Sequence, residues 1–251
     1  MAIAVAFTMP AKAQTTTEKP PKQWSAWVKA TQVGINDNTT SEQSFYLDDD
    51  RGIAFSAGAD YYLNRHLCLS GGIYWEQDGL ASQLSKGLGV KKINMVGIEA
   101  GAKYLPCPPK WIVQPHIGAM AKTNFLNLDN RKGTDRLRAT DAYPGSMFDM
   151  QWDVRCPAIA AKASVGVDIR IISSVYLCVD YGIEMGFGSH NNSSITFVNG
   201  PMAGRNTLKK SGYPHFLLGV GLKMDFPARA ASQQSKHNLL MLIASFIGSK
   251  R

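Results

Sequence analysis

Charged residues stand at alternate positions within otherwise apolar segments, and they are the first candidates for chemistry. Lys162 lies between Ala161 and Ala163, and Glu184 lies between two apolar neighbours in the same way. A charge in apolar surroundings is strongly unfavourable unless it is paired, so we expect a network of ion pairs. Its predicted members are Lys162, Glu184, Asp168, Arg170, Asp180, Glu99 and Lys103. Such a network could fill an interior or line a narrow path for ions, and the sequence leaves both open.

Serine and histidine residues offer a second kind of chemistry. Ser189 and His190 are adjacent, and His215 follows at some distance. Hydrolysis or acyl transfer needs a base and a nucleophile in a defined geometry, and nothing in the sequence fixes one here. A histidine at the surface is the favoured interpretation, and we predict no catalytic residue.

The elements that must position these residues alternate with a period of two. Ile53, Phe55 and Ala57 alternate with small or polar residues, a β pattern that recurs along the chain. Eight strands are predicted, covering 23–35, 53–63, 67–76, 96–104, 113–125, 159–171, 175–187 and 216–226. On the predicted polar face lie also Lys29, Asp60, Glu76, Lys122, Lys223 and Asp225.

The connections alternate between short and long. Short turns are predicted at 64–66, 106–110 and 172–174, and long loops at 36–51, 77–93, 127–155 and 188–212. This order is typical of outer-membrane β-barrels, with the turns in the periplasm and the loops outside. The sequence therefore predicts an all-β, eight-stranded, antiparallel up-and-down transmembrane barrel over 23–226, with both chain ends periplasmic. A tight turn at Ser173–Ser174 is expected to place Lys162 opposite Glu184, and we predict that these two residues form an ion pair.

Aromatic residues cluster at the predicted strand ends, as in the girdles that flank a bilayer. The periplasmic girdle is predicted to hold Trp24, Trp27, Tyr61, Tyr104, Trp111 and Phe226. The outer girdle is predicted to hold Phe55, Trp75, Phe125, Trp152 and Phe187.

The segments outside the barrel have simple interpretations. Residues 1–13 combine a short apolar run with Ala11-Lys12-Ala13, the small-x-small form of a signal-peptide cleavage site. No basic residue precedes that run, so we expect the true start upstream of Met1. Residues 14–22 form a polar leader, and 227–251 a periplasmic tail whose apolar run is too short to span a bilayer.

The cysteines and the basic residues give weaker signals. Cys68, Cys107, Cys156 and Cys178 allow three disulfide pairings, and Cys68 with Cys107 is favoured because both fall near one rim of adjacent strands. Their spacing does not fit a metal site, and no phosphate-binding loop is present, so we predict no metal and no cofactor. The net charge of +8 comes from scattered residues, which argues against nucleic-acid binding. Arg205, Lys209 and Lys210 are candidates for contacts with lipopolysaccharide phosphates.

The strand count, the loop order and a last strand that ends in an aromatic, GVGLKMDF at 219–226, resemble the small barrels of the OmpX and OmpA-transmembrane type. The resemblance implies a Gram-negative outer membrane and assembly by the barrel-assembly machinery. Eight strands leave an interior filled by side chains. We therefore expect a structural or surface-binding barrel whose loops contact lipids, lipopolysaccharide or a host ligand. A narrow porin-like channel is the alternative. A lipid-A-modifying enzyme is less favoured, because His215 falls on the inward face.

Overall fold

The computed structural model describes residues 23–39, 47–82, 91–107, 111–139, 145–172, 174–187 and 189–226. Within these strands it gives no side-chain placement for 35–39, 47–51, 78–82, 91, 189–191 and 207–213. The predicted signal peptide, polar leader and C-terminal tail lie outside the described residues. No helix that is long and apolar enough to cross a membrane occurs in the part of the chain that is described.

The described residues form one antiparallel sheet. Its strands are β1 (Trp24–Thr39), β2 (Leu47–Tyr62), β3 (Leu67–Ser82), β4 (Lys91–Tyr104), β5 (Val113–Asn127), β6 (Lys132–Arg138), β7 (Met147–Val154), β8 (Ile159–Ile172), β9 (Val175–Gly186), β10 (Ser189–Phe197) and β11 (Asn206–Phe226). Eight of them close into a barrel in the order β1-β2-β3-β4-β5-β8-β9-β11, and β11 pairs back onto β1 from Trp24↔Phe226 onward. The eight-stranded antiparallel barrel predicted from the sequence is confirmed.

The barrel forms because alternate residues suit two different surroundings. In β5, Gln114, His116 and Met120 are buried, whereas the intervening Ile117 is 58% exposed on the outer wall. Large apolar side chains are likewise exposed on the outside of the other barrel strands, and charged ones are buried inside. This arrangement is the inverse of a water-soluble sheet and matches a wall that faces lipid.

The two ends of the barrel differ. The end that we call the turn end carries the turn at 63–66, the paired residues Ile172 and Val175 of β8 and β9, and also Trp24 and Phe226. At the first of these turns the Leu63 amide donates to the Leu67 carbonyl at 3.0 Å. The opposite end, which we call the loop end, carries the longer connections.

The structure corrects two of the predicted loops, because 127–155 and 188–212 are largely strand. They contain β6, β7, β10 and the first part of β11, which continue the sheet in the order β11-β10-β7-β6. The first part of β11 pairs with β10, and the part that follows pairs with β9. β7 pairs with β10 as β8 pairs with β9, so β7 and β10 extend the wall above β8 and β9. Short interruptions at 128–131, at 155–158 and at Phe187 separate this sheet, which we call the upper sheet, from the barrel wall.

The upper sheet has one apolar and one polar face. Phe148, Met150 and Trp152 alternate with Asp149 and Gln151, and the apolar set is almost fully buried. It packs against the inward face of β4 to form a cluster that we call the apolar cap, composed of Ile93, Met95, Phe148, Met150, Trp152, Val154, Ile195 and Phe197. The cap lies over the barrel interior at the loop end.

Two of the aromatic residues assigned to girdles lie elsewhere. Trp152 belongs to the apolar cap, and Trp27 points into the barrel with 3% of its surface exposed. Other members of the predicted girdles do lie on the outer wall, among them Phe55, where its ring stacks on Trp75 at 5.8 Å between centroids. The prediction failed at Trp27 because it relied on position along the strand, although the alternation puts Trp27 on the same face as Lys29.

Candidate functional site

The barrel interior gathers the charged residues into three connected clusters, the first of which lies near the turn end. Its centre is Asp60 on β2, whose side chain is fully buried. The Lys103 ammonium donates to both carboxylate oxygens of Asp60, at 2.9 and 3.1 Å. The Trp27 indole Nε1 donates to Asp60 Oδ1 at 3.0 Å. Three strands are thereby tied together through one carboxylate.

Two glycines make room for Trp27 inside the barrel. A Cβ atom at Gly58 would lie 2.5 Å from Trp27 Cζ2, and one at Gly72 would lie 2.9 Å from Trp27 Cη2. Both distances are too short for real atoms, so the ring fits only because these positions lack side chains. Glycine at these places on β2 and β3 therefore allows the indole to reach Asp60.

A second cluster crosses the middle of the barrel. His116 on β5 lies between two carboxylates, with Nε2 2.7 Å from Asp180 Oδ1 and Nδ1 3.9 Å from Asp168 Oδ1. Lys29 forms an ion pair with Asp180, and Lys223 forms one with Asp168. The Lys223 ammonium also lies 5.3 Å from the centroid of the Tyr176 ring, within the range of a cation–π contact.

The third cluster, nearest the loop end, is centred on Lys122. Its ammonium forms ion pairs with Glu76 on β3 and with Glu184 on β9, the latter at 2.9 Å. Lys122 is almost completely buried, and it lies 4.4 Å from the centroid of the Tyr74 ring. One lysine thus links opposite sides of the barrel.

The predicted position of Lys162 is right, but the predicted pairing is not. Lys162 lies directly opposite Glu184 in the β8–β9 register, which shifts by one residue between Arg170 and Ile172 near the turn. Its ammonium nevertheless binds Glu99 on β4 at 3.1 Å, because Lys122 on β5 already occupies Glu184. Pairs between neighbouring strands follow from hairpin register, whereas pairs across the interior depend on closure of the barrel.

Arg170 has a different environment from the other predicted members. It lies near the turn end, where its Nε donates to the Tyr176 hydroxyl at 3.3 Å and its Nη2 donates to the Trp111 carbonyl at 3.4 Å. Asp225, close to the end of β11, is buried on the inward face. The structure thus brings all seven predicted network residues inside the wall, and whether they serve a function beyond folding stays a prediction.

The apolar cap lies above the third cluster, and the sequence interpretation missed it. Asn124 marks the boundary: its Nδ2 lies 3.2 Å from the Met95 sulfur of the cap, and its Oδ1 accepts from the Ala158 amide at 2.5 Å. The alternation of Phe148, Met150 and Trp152 with polar residues was a readable strand signal. This strand does not match a membrane-spanning one, because the residues opposite its apolar face, such as Asp149 and Asp153, are polar.

The remaining site candidates do not converge. The four cysteines are free, so the predicted Cys68–Cys107 disulfide is wrong. Cys68 is buried on the inward face of β3, opposite Lys103, while Cys107 lies beyond the end of β4. No group of three potential metal ligands occurs among the described residues.

The candidates for lipid contacts and for hydrolysis lie apart. Arg205 is exposed in the connection between β10 and β11. The side chains of Lys209, Lys210, Ser189 and His190 fall outside the described residues. His215 is buried on the inward face of β11, opposite Glu184, as the alternation predicts.

The interior is thus a packed core of paired charges, with the apolar cap above it. Ion pairs held in such surroundings are costly to break, because removal of one partner leaves the other buried and uncompensated. A closed eight-stranded barrel with an apolar outer wall and a polar interior is the fold of the small outer-membrane β-barrels.

Comparisons with known proteins agree with this class. The outer membrane protein OprG from Pseudomonas aeruginosa superposes with a TM-score of 0.52 at 11% identity, covering 83% of this chain and 99% of OprG. Neisserial surface protein A (NspA) gives 0.43 at 15% identity, covering 81% and 97%. The E. coli outer membrane protein W gives 0.38 at 11% identity, covering 83% and 100%. At these identities the likeness shows the fold alone.

The sequence comparisons add no relative. No protein-family model matches the chain, and no curated protein matches it. The closed barrel and its superposition on OprG confirm the predicted resemblance to small eight-stranded outer-membrane barrels at the level of structure. The more specific functional predictions are proposals.

Proposed function

We propose that this protein is a bacterial outer-membrane barrel with a side-chain-filled interior, which acts as a structural or surface-binding element through its loop end. The observation that carries the proposal is the combination of a charge-paired interior with an apolar cap above it. A barrel filled in this way is a rigid support rather than an open pore.

The outer wall changes from apolar to polar residues towards the loop end, and this change supports a position for the membrane. Below the interruptions at 128–131 and 155–158 the outer face is apolar, as at Phe125 and Ile159. Above them it carries exposed or half-buried polar residues such as Lys132, Gln151 and Asp153. A lipid-facing band should end where such residues begin, because a lysine in the bilayer centre costs about 2–4 kcal/mol. We place the upper sheet outside the membrane and the turn end in the periplasm.

The polar face of the upper sheet is the surface that we assign to binding. Neighbouring residues on β6, β7 and β10 form three rows across it, namely Lys132–Asp153–Asn192, Thr134–Gln151–Ser194 and Arg136–Asp149–Thr196. A groove of about 520 Å³ runs between the first two rows. Paired strands hold these side chains more rigidly than the predicted loops would, which lowers the entropic cost of binding a partner.

The first test is single-channel conductance of the refolded protein in planar bilayers, after the shift in gel mobility on boiling has verified folding. The proposal predicts no steady channels from folded protein. Steady channels that change with Lys122→Ala or Lys162→Ala would instead support the narrow-channel alternative, since both lysines lie inside.

The orientation is tested separately on intact cells with a membrane-impermeant maleimide. Thr196→Cys, on the polar face of the upper sheet, should react in intact cells, with the unsubstituted protein as the background control. Arg65→Cys, in an exposed turn at the other end, should react only after lysis. The reverse labelling pattern would refute the proposed orientation.

A further inference from the structure

Exposed apolar side chains form a band on three adjacent barrel strands, just below the upper sheet. Phe125 on β5 is 55% exposed, Ile159 at the start of β8 is 57% exposed, and Phe187 immediately after β9 is 75% exposed. The Phe187 amide donates to the Ile159 carbonyl at 3.3 Å, so the last two residues are neighbours. Side chains of this kind suit contact with acyl chains.

Basic residues lie directly above this band and are held there by the backbone. The Arg155 Nη1 donates to the Phe187 carbonyl at 2.8 Å, and the Arg131 Nη1 donates to the Cys156 carbonyl at 3.1 Å. Both arginines are exposed. Because one nitrogen of each guanidinium donates a hydrogen bond to a backbone carbonyl, the position of the two groups along the barrel axis is fixed relative to Phe187. We call Arg131, Lys132 and Arg155 the basic collar.

The acidic residues nearest to the collar in sequence already have partners. Asp153 forms an ion pair with Lys132 at 2.7 Å, and Asp129 accepts from the Asn94 amide at 2.8 Å. The collar arginines make no ion pair with either of these carboxylates in the described structure. The charge that the collar presents outward is therefore positive, and its position is the boundary between apolar and polar wall.

We propose that the basic collar and the apolar band beneath it bind a phosphorylated, multiply acylated glycolipid of the lipid A class. The guanidinium groups would contact its phosphates through charge-assisted hydrogen bonds, and the acyl chains would lie on Phe125, Ile159 and Phe187. The collar extends over two adjacent strand connections, which suits a ligand with more than one phosphate better than a phospholipid with one. The inference rests on the proposed function, because it requires the loop end to face the outer leaflet.

The site differs from the one predicted from the sequence. Arg205 lies in the connection between β10 and β11, beyond the upper sheet and away from Phe125, Ile159 and Phe187. Arg131 and Arg155 could not be chosen from the sequence, since their position depends on where the wall is interrupted. The collar is defined by strand breaks that only the folded chain reveals.

The test uses the refolded full chain in detergent micelles and native mass spectrometry with added lipid. The probes are diphosphoryl lipid A, monophosphoryl lipid A and phosphatidylglycerol. The collar variant is Arg131→Gln/Arg155→Gln, and Arg131→Lys/Arg155→Lys keeps its charge. Lys92→Gln/Arg138→Gln removes the same charge at two exposed positions elsewhere on the loop end and is the matched control. The gel-mobility shift verifies that each variant is folded.

The expected result is that diphosphoryl lipid A binds most tightly and that the glutamine collar variant weakens it at least about tenfold, as for the loss of strong charge-assisted contacts. The lysine variant should retain part of the affinity, and the control variant all of it. Equal loss in the control variant, or no loss in the collar variant, would overturn the proposal.

A second set of outcomes distinguishes a failure of this inference from a failure of the proposed function. Equal binding of phosphatidylglycerol would show that the collar recognises any anionic headgroup and would refute the choice of lipid A. The labelling and conductance experiments need no added lipid A and are read on the protein without collar substitutions. A failure of the lipid site therefore leaves those results standing, whereas reversed labelling would remove the basis of both.

Discussion

Replacement of Lys122 by methionine tests whether the interior charges hold the barrel together. The substitution keeps most of the side-chain volume but removes the ammonium that Glu76 and Glu184 share. Both carboxylates are nearly inaccessible to water, at 3% exposure each. Removal of one partner from a buried ion pair costs about 3–5 kcal/mol, because the remaining charge is uncompensated.

The pH dependence of stability gives a second estimate of the unfolding free energy that Lys122→Met loses. A carboxylate that loses its cation can take up a proton instead, and a glutamate has an ordinary pKa of about 4.3. At about 1.36 kcal/mol for each pH unit, protonation at pH 7 costs about 3.7 kcal/mol, and at pH 5 only about 1 kcal/mol. We therefore expect Lys122→Met to lose about 3–4 kcal/mol of unfolding free energy at pH 7 and much less at pH 5.

The measurement is guanidinium unfolding of the protein folded in lipid vesicles, followed by tryptophan emission. The control is Lys132→Met, whose ammonium pairs with Asp153 at 2.7 Å but is 61% exposed in its side chain, so its loss should cost under about 1 kcal/mol. Addition of Glu76→Gln and Glu184→Gln to Lys122→Met should restore most of the stability. Equal effects of the two lysine substitutions, or a loss independent of pH, would refute the reasoning.

Three further predictions follow from the packing and the charges. Trp152→Ala should destabilise the apolar cap by about 3–5 kcal/mol. Hydrogen exchange should then become faster in the upper sheet and stay unchanged in the barrel wall, and uniform acceleration would contradict this. Gly58→Ala should lower the refolding yield seen by gel mobility, because its Cβ would lie 2.2 Å from the Gly71 carbonyl oxygen, whereas Gly71→Ala meets nothing nearer than 3.7 Å and should refold normally. The hydrogen bond from Arg136 lowers the pKa of Asp149, so this pair stabilises the upper sheet above the ordinary aspartate pKa and loses that effect as the pH falls through the lowered value. An NMR titration of Asp149 should show its midpoint rise in Arg136→Gln, and an unchanged midpoint would contradict the assignment.

The barrel could be predicted from the sequence because its physical requirement is repeated in every strand. A lipid-facing wall needs apolar residues at every second position, and β8 satisfies this from Ile159 to Ile171 with Lys162 and Asp168 turned inward. The order of short and long connections then fixes which strands are neighbours. These are local signals, so they survive without knowledge of the closed fold.

The identity of partners across the interior could not be predicted in the same way. The register of the β8–β9 hairpin places Lys162 beside Glu184, yet the ammonium binds Glu99 on β4. Which carboxylate a lysine reaches depends on the tilt and closure of all eight strands. The orientation of Trp27 depends likewise on two glycines of neighbouring strands, Gly58 and Gly72.

The upper sheet was missed for a different reason. The segment from Met147 to Val154 alternates as clearly as the barrel strands do, but polar residues (Asp149, Gln151 and Asp153) lie on the face that would otherwise meet lipid. It therefore fits no membrane-spanning strand. An alternating segment outside the membrane band is better interpreted as a strand that continues the wall beyond the bilayer.

The length of the final strand has a consequence for how the chain assembles. β11 runs over 21 residues and pairs with β1, β9 and β10. Before Asn206–Phe226 is available to pair, β1, β9 and β10 each have one unpaired edge. Such edges associate readily with other chains. The pairing of Trp24 with Phe226 also joins residues at opposite ends of the barrel sequence, a slow kind of contact to form. Closure of the wall and completion of the upper sheet are thus one event, and the nascent chain needs protection until its last strand arrives.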